Sequence, residues 1–208
     1  NSAGTINAPS ISTITGSAVE IIAAYTDQTI TVPSNVALTV DSGTVSVTQS
    51  RTLNAYTAGI VTGTITSGTT IAQMLDTESG MTESSGNNAY TITIDSSDSS
   101  VQATELTSLN LLTTVSVNAL SVSEITGSIN ELNIVYASAA NNPVEISNLG
   151  NENVTITDTT VSDASTLNTL NGYTSGVITA DGVTAITGTA SVLNTLLTAG
   201  NDTNQFST

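Results

Sequence analysis

Apolar residues alternate with Thr or Ser in a series of short runs: "TITV" (29–32), "VALTV" (36–40), "VSV" (45–47), "IVTGTI" (60–65), "YTITI" (90–94), "VSV" (115–117), "VTIT" (154–157) and "VTAIT" (183–187). Alternation with period two buries one face of a strand and wets the other, so each run predicts a short, half-buried β-strand. Between the runs, apolar residues recur three and four apart, the spacing of one helix face. These stretches predict short helices near 18–25, 51–57, 71–77, 101–109, 129–137, 164–170 and 190–198. A Ser, Thr or Asp at a helix start accepts a hydrogen bond from a backbone N–H that the first turn leaves without a partner. Gly200 stands where a left-handed cap would end the last helix.

The pattern also repeats at long range. "EITGSINELNIVYASA" (124–139) has a near copy in "AITGTASVLNTLLTAG" (185–200), an offset of 186 minus 125, or 61 residues, which also brings Leu106 onto Leu167 and Leu109 onto Leu170. The same words occur again in "TITGSAVEIIAAY" (13–25), and "NAYTAGIVTG" (54–63) echoes "NGYTSGVITA" (171–180). The predicted helix starts average (190 minus 18)/6, or about 29 residues apart, within the range of about 20–50 residues that marks stacked repeats. One strand–helix repeat cannot bury its own apolar side, but neighbours stacked on it can. The expectation is therefore a repeat solenoid: a parallel β-solenoid with a short helix per coil, about seven coils in a single domain over 1–208. The clearest interruption is 76–89, and 82–89 is its weakest boundary.

Composition narrows the chemistry. The chain has no Cys, His or Trp, one basic residue (Arg51) and 17 acidic residues, for a formal charge of -16. One arginine cannot displace the counterions of a phosphate backbone, so no nucleic acid and no anionic membrane is expected as a partner. The apolar runs are far too short to insert across a bilayer. Without Cys and His there is no thiolate nucleophile, no sulfur-built zinc site and no imidazole base. Carboxylates, hydroxyls and tyrosines remain. Ser and Thr supply about a third of the residues while charged ones supply only 9%, far from the usual globular balance. The chain begins on Asn1 rather than Met, which suggests a processed or partial protein.

The stretches "ITGSINELNIVYAS" and "ISNLGNENVTITDTTVSDASTLNTLNGYTSGVITADGVTAITGTASVLNTLL" resemble the Thr-rich repeats of very large cyanobacterial surface proteins and of marine phage structural proteins. The resemblance covers 124–198 well and the first half loosely. It implies an extracellular, cell-surface or virion-borne structural role, no reaction and no functional residue.

Four acidic residues in corresponding turns, Asp95, Asp98, Asp158 and Asp163, are candidate ligands for calcium, a hard cation that takes carboxylate oxygens. Asp163 is equally suited to cap the helix that follows it. "TIT" at 13–15, 29–31, 64–66, 91–93 and 155–157 places two hydroxyls opposite a buried Ile; a stacked ladder of them would resemble an ice-binding face. Tyr25 and Tyr136 occupy the same place after the repeated words, which points to packing with the hydroxyl at the rim. Arg51 is expected in solvent, with a local ion pair or an inter-subunit contact as the alternatives. Asn153 and Asn201 lie in glycosylation sequons.

Repeat wording reaches close to both ends of the sequence without a convincing polar cap. Either the coils continue in a longer parent chain, or subunits stack head to tail into a fibre or lattice, since open ends of this kind propagate when the contact is heterologous. The reading is a non-enzymatic structural protein of a fibre, layer or appendage, self-associating head to tail, with no cofactor required. The alternative is a surface-binding or adhesion module for a glycan, a host receptor or ice.

Overall fold

The computed structural model describes residues 6–27, 30–82, 88–141, 144–200 and 206–207. The loop at 83–87, the first residue of the strand expected at 29–32, the sequon at Asn201 and most of both end stretches lie outside them. The described residues form a mixed α/β structure with parallel strands in several sheets and seven helices. They divide into two compact units, Asn1–Thr93 with Leu109–Val117, and Ile94–Ser108 with Asn118–Thr208.

The first unit runs β1 (Ile6–Asn7), β2 (Thr13–Ser17), α1 (Ala18–Thr26), β3 (Ile30–Thr31), β4 (Ala37–Ser42), α2 (Val47–Tyr56), β5 (Val61–Thr64), α3 (Ile71–Met74) and β6 (Ala89–Thr91). β1 pairs with β3, and β2, β4, β5 and β6 form one sheet in that order. Among the described residues every pairing of this unit is parallel, with the partner one repeat further on: Thr13 opposite Ala37, Leu38 opposite Val61, Thr62 opposite Ala89. Parallel neighbours require a crossover, and α1 and α2 supply two of them.

The second unit contains β7 (Ser100–Gln102), α4 (Ala103–Leu111, which ends in the first unit), β8 (Val117–Asn118, which begins in the first unit), β9 (Glu124–Gly127), α5 (Ile129–Ala140), β10 (Ile146–Ser147), β11 (Asn153–Ile156), β12 (Thr160–Val161), α6 (Ala164–Asn171), β13 (Ile178–Thr179), β14 (Ala185–Ile186), α7 (Ala190–Gly200) and β15 (Phe206–Ser207). A five-stranded parallel sheet has the order β7-β9-β11-β13-β15, and β12 pairs with β14. The two copies of the 61-residue repeat therefore enter different sheets. Ile125 pairs with Val101 and Val154 in the larger sheet, whereas Ile186 pairs with Val161 in the smaller. What the copies share is the junction of a strand with the helix behind it.

Seven helices were expected and each has a counterpart, because the start signals are local. Ser17 with Glu20, Ser46 with Gln49, Thr70 with Gln73 and Ser128 with Glu131 are complete capping boxes, each pair exchanging side-chain and backbone hydrogen bonds. The strand expected at 45–47 is corrected by one of them. Val45 makes a single bridge to Ile65, Ser46 is the cap and Val47 already belongs to α2. α3 stops at Met74 instead of 77, and α7 runs through Gly200.

Hydroxyls tie the repeats together. Thr57, Thr113 and Thr174 are buried and repeat one arrangement. Each donates to a backbone carbonyl of the preceding repeat, of Val36, Tyr90 and Glu152 respectively, and accepts the N–H two residues on, of Gly59, Val115 and Gly176. More exposed versions join Ser123 to the Ser99 carbonyl, Ser175 to that of Gly150 and Thr184 to that of Thr159. In the second unit, Gly127 and Gly188 sit over Ala103 and Ala164, where an added Cβ would lie 3.0 Å from the alanine methyl. Small residues thus bring the starts of α5 and α7 down onto the repeat beneath.

Candidate functional site

The surface that departs most from the rest of the second unit is the outer side of α7 and β14. In α5 the repeated words place Ile129, Leu132, Val135 and Tyr136 at no more than 9% exposure, because α6 and its strands cover them. The corresponding residues of α7 are Ala190, Leu193, Leu196 and Leu197, of which none is buried and Leu197 is 69% exposed. Ile186 of β14 is 38% exposed, against 0% for Ile125 at the same place in β9.

A ladder of asparagines runs to this surface. Asn133 of α5 donates to the Thr166 carbonyl of α6 at 3.2 Å, and Asn168 of α6 donates to the Val192 carbonyl of α7 at 3.1 Å. Each asparagine follows a core leucine, and each acceptor precedes the next one. Asn194 of α7, which follows Leu193, is the exposed end of the series. Leu-Asn recurs in the sequence at 53–54, 109–110, 132–133, 167–168, 170–171 and 193–194, and the pairs at 132–133 and 167–168 carry the ladder's donors. Replacing Asn168 by alanine is expected to cost about 0.5–1.5 kcal/mol and to speed amide exchange in 190–199 more than in 129–140. Hydrogen exchange read by mass spectrometry checks it.

An open groove of about 670 Å³ runs along α5 and α6, lined by Asn130, Ile134, Asp158, Asp163, Thr166 and Tyr173 among others. Tyr173 stacks on Tyr136, with ring centroids 5.7 Å apart and planes 8° from parallel. The expectation of a rim hydroxyl fails at Tyr136. It is buried and donates to Oε2 of Glu152, itself 1% exposed, at 3.2 Å. Burial, and secondarily the Glu152 charge, push the Tyr136 phenol well above its ordinary range. Glu152 Oε2 also accepts from the Gly150 N–H, while Oε1 has no hydrogen-bond partner among the described residues. In the first unit, Tyr25 and Tyr56 stack at 4.8 Å.

The four calcium candidates hold helix starts and a turn. Asp163 accepts from the Ser165 N–H and caps α6. Asp158 accepts from the Ile129 N–H at 2.6 Å, so it serves α5 across the sheet rather than its own repeat. Asp95 accepts from the N–H and hydroxyl of Ser97, and Asp98 donates its N–H to the Asp95 carbonyl. Among the described residues no three acidic groups converge as metal ligands would.

These hydrogen bonds hold the carboxyls of Glu131 and Asp163 below their usual range, backbone N–H donors contributing most. A depressed folded value stabilises the fold above the unfolded value and is lost as pH falls through the folded one. The helix starts should therefore weaken below about pH 4. Glu131→Gln with Asp163→Asn keeps both caps without the charge. Thermal melts at pH 7 and pH 3 should then differ less than in the parent, in which the chain-wide loss of repulsion is nearly the same.

Arg51 is half-buried rather than in open solvent. Its guanidinium donates to the Gly80 carbonyl at 2.9 Å, and Asn54 donates to the Thr82 carbonyl. Together they fasten the irregular stretch after α3 to α2, and Met81 within it is buried. Part of the Thr ladder is present: Thr64 and Thr91, from two of the "TIT" runs, stand side by side and are both exposed, whereas exposed Thr15 stands beside Thr39, which is half-buried. Asn153 of the first sequon is exposed and accepts the Val177 N–H.

No protein-family model, curated protein or solved structure matches the chain.

Proposed function

We propose that the chain is a non-enzymatic structural repeat protein, a parallel β-solenoid with one short helix per coil, which stacks head to tail into a fibre, layer or appendage of a cell surface or virion. The observation that carries this reading is the bare outer side of α7 and β14, whose twin in α5 and β9 is buried beneath the next repeat. The resemblance of 124–198 to Thr-rich surface and phage repeats points the same way. So do the carboxylates of Asp95, Asp158 and Asp163, whose hydrogen bonds serve caps and turns.

Copies that each carry a formal charge of -16 repel one another, and salt screens that repulsion. Assembly is therefore strengthened between about 10 mM and 500 mM NaCl, where the screening length falls from roughly 30 Å to under 8 Å. Light scattering and electron microscopy of the purified chain test this, and a strictly monomeric particle at both salts contradicts it. The groove along α5 and α6, with its tyrosine, is what favours the second reading, a surface-binding module. A glycan array with and without calcium tests that.

A further inference from the structure

The open side of α7 and β14 has a definite shape, and the inner repeat displays what fits it. On α5 the cover is a helix and strands of the same build, held by Asn133 reaching the Thr166 carbonyl. α1 is built from the words of α5: Ser17 and Glu20 form the same capping box as Ser128 and Glu131, and Ile21 stands where α5 has Leu132. Where the asparagine would follow, α1 has Ile22. α1 packs on α2 and leaves Val19 66% exposed, with Ile6 and Ile11 exposed in the segments before it. Among the described residues, β1 pairs only with β3, β2 only with β4, β14 only with β12 and β15 only with β13, so both ends offer unused strand edges.

Charge selects the same two surfaces. Of 17 acidic residues, none falls in 183–200 and only Glu20 falls in 1–26. The Glu20 carboxylate already accepts both the N–H and the hydroxyl of Ser17. Charged side chains normally guard exposed sheet edges against pairing, and they are depleted from interface cores. In a chain this acidic, these are surfaces that two copies can bring together with a single carboxylate, that of Glu20, at the contact, where Ser17 already holds it.

We infer that the outer side of α7 and β14 is the docking site for the α1 repeat of a second copy of this chain, with Asn194 donating to the Glu20 carbonyl as Asn168 does to that of Val192. The inference rests on the assembly reading and names its contact. Sedimentation velocity of the full chain at high salt tests it with Leu197→Asp on α7, Val19→Asp on α1 and Leu120→Asp as a control. All three positions are at least 66% exposed, so each variant should fold, which circular dichroism checks. Leu197→Asp and Val19→Asp should each weaken self-association by on the order of tenfold or more, since each buries an unpaired charge, and Leu120→Asp should not. An equimolar mixture of the first two should form a one-to-one dimer that grows no further, because one intact surface of each kind remains. If the parent chain assembles and both variants assemble equally well, this contact is wrong and the assembly reading stands. If the mixture stays monomeric the contact is likewise overturned. A parent chain that never associates removes both.

Discussion

Replacing Leu132 by alanine should lower stability by about 2–5 kcal/mol, the cost of emptying a fully enclosed core site, while Leu197→Ala should change it by no more than about 0.5 kcal/mol. Both leucines lie on helices made from the same repeated words. One is 0% exposed beneath α6 and the other 69% exposed on the outer side of α7. Urea denaturation at low protein concentration, where copies do not cover one another, gives the two values. The comparison separates what a residue is from where its repeat lies in the stack, since hydrophobicity alone would rank the leucines equally. Equal costs would mean that α7 is covered as α5 is.

The second large effect lies at the threonine behind α6. Thr174→Val keeps the shape of the side chain but removes a hydroxyl that is 5% exposed and has two backbone partners, the Glu152 carbonyl and the Gly176 N–H. Leaving a buried polar group unsatisfied costs about 1–3 kcal/mol, so a loss of about 2–4 kcal/mol is expected for the pair. Gly176→Ala attacks the same joint sterically. Its new methyl would fall 2.1 Å from the Glu152 carbonyl oxygen, so the backbone must shift, at a cost of about 1–3 kcal/mol or more. Glycine is required there by close approach rather than by backbone angle. Thr174→Ser should retain most of the stability, because the hydroxyl remains. Thermal melts of the three variants check the order, and an unaffected Thr174→Val would remove the hydroxyl joints from the account.

Local signals were readable in the sequence and long-range ones were not. Each helix start depends on a few adjacent residues, so Ser128 with Glu131 and Asp163 before Ala164 announce α5 and α6. The start of α2 was hidden because Val45 and Val47 suggest a strand; the box formed by Ser46 and Gln49 outweighs them. Sheet membership depends on whichever strand lies about one repeat away, so near-identical "ITG" segments can enter different sheets. The role of Asp158 is equally non-local, since its acceptor oxygen serves Ile129, 29 residues earlier. Nothing in "GNENV" marks Glu152 for burial, because its partner Tyr136 comes from the preceding repeat. The asparagine ladder was legible in principle, as a polar residue recurring beside a core leucine on successive helices.

The most direct test of repeat-on-repeat stacking is disulfide trapping, which is clean here because the chain has no cysteine of its own. Thr126 lies opposite Thr155 in the second unit, and Thr39 lies opposite Thr62 in the first. Paired strand positions are close enough for a disulfide, whereas positions two residues out of register are separated by about 7–8 Å or more. Cysteines at 126 and 155, and at 39 and 62, are expected to cross-link rapidly under mild oxidation. Cysteines at 126 and 157, or at 39 and 64, are expected to remain reduced. Fast cross-linking of the displaced pairs with none at the aligned ones would contradict the parallel register and the stacking built on it.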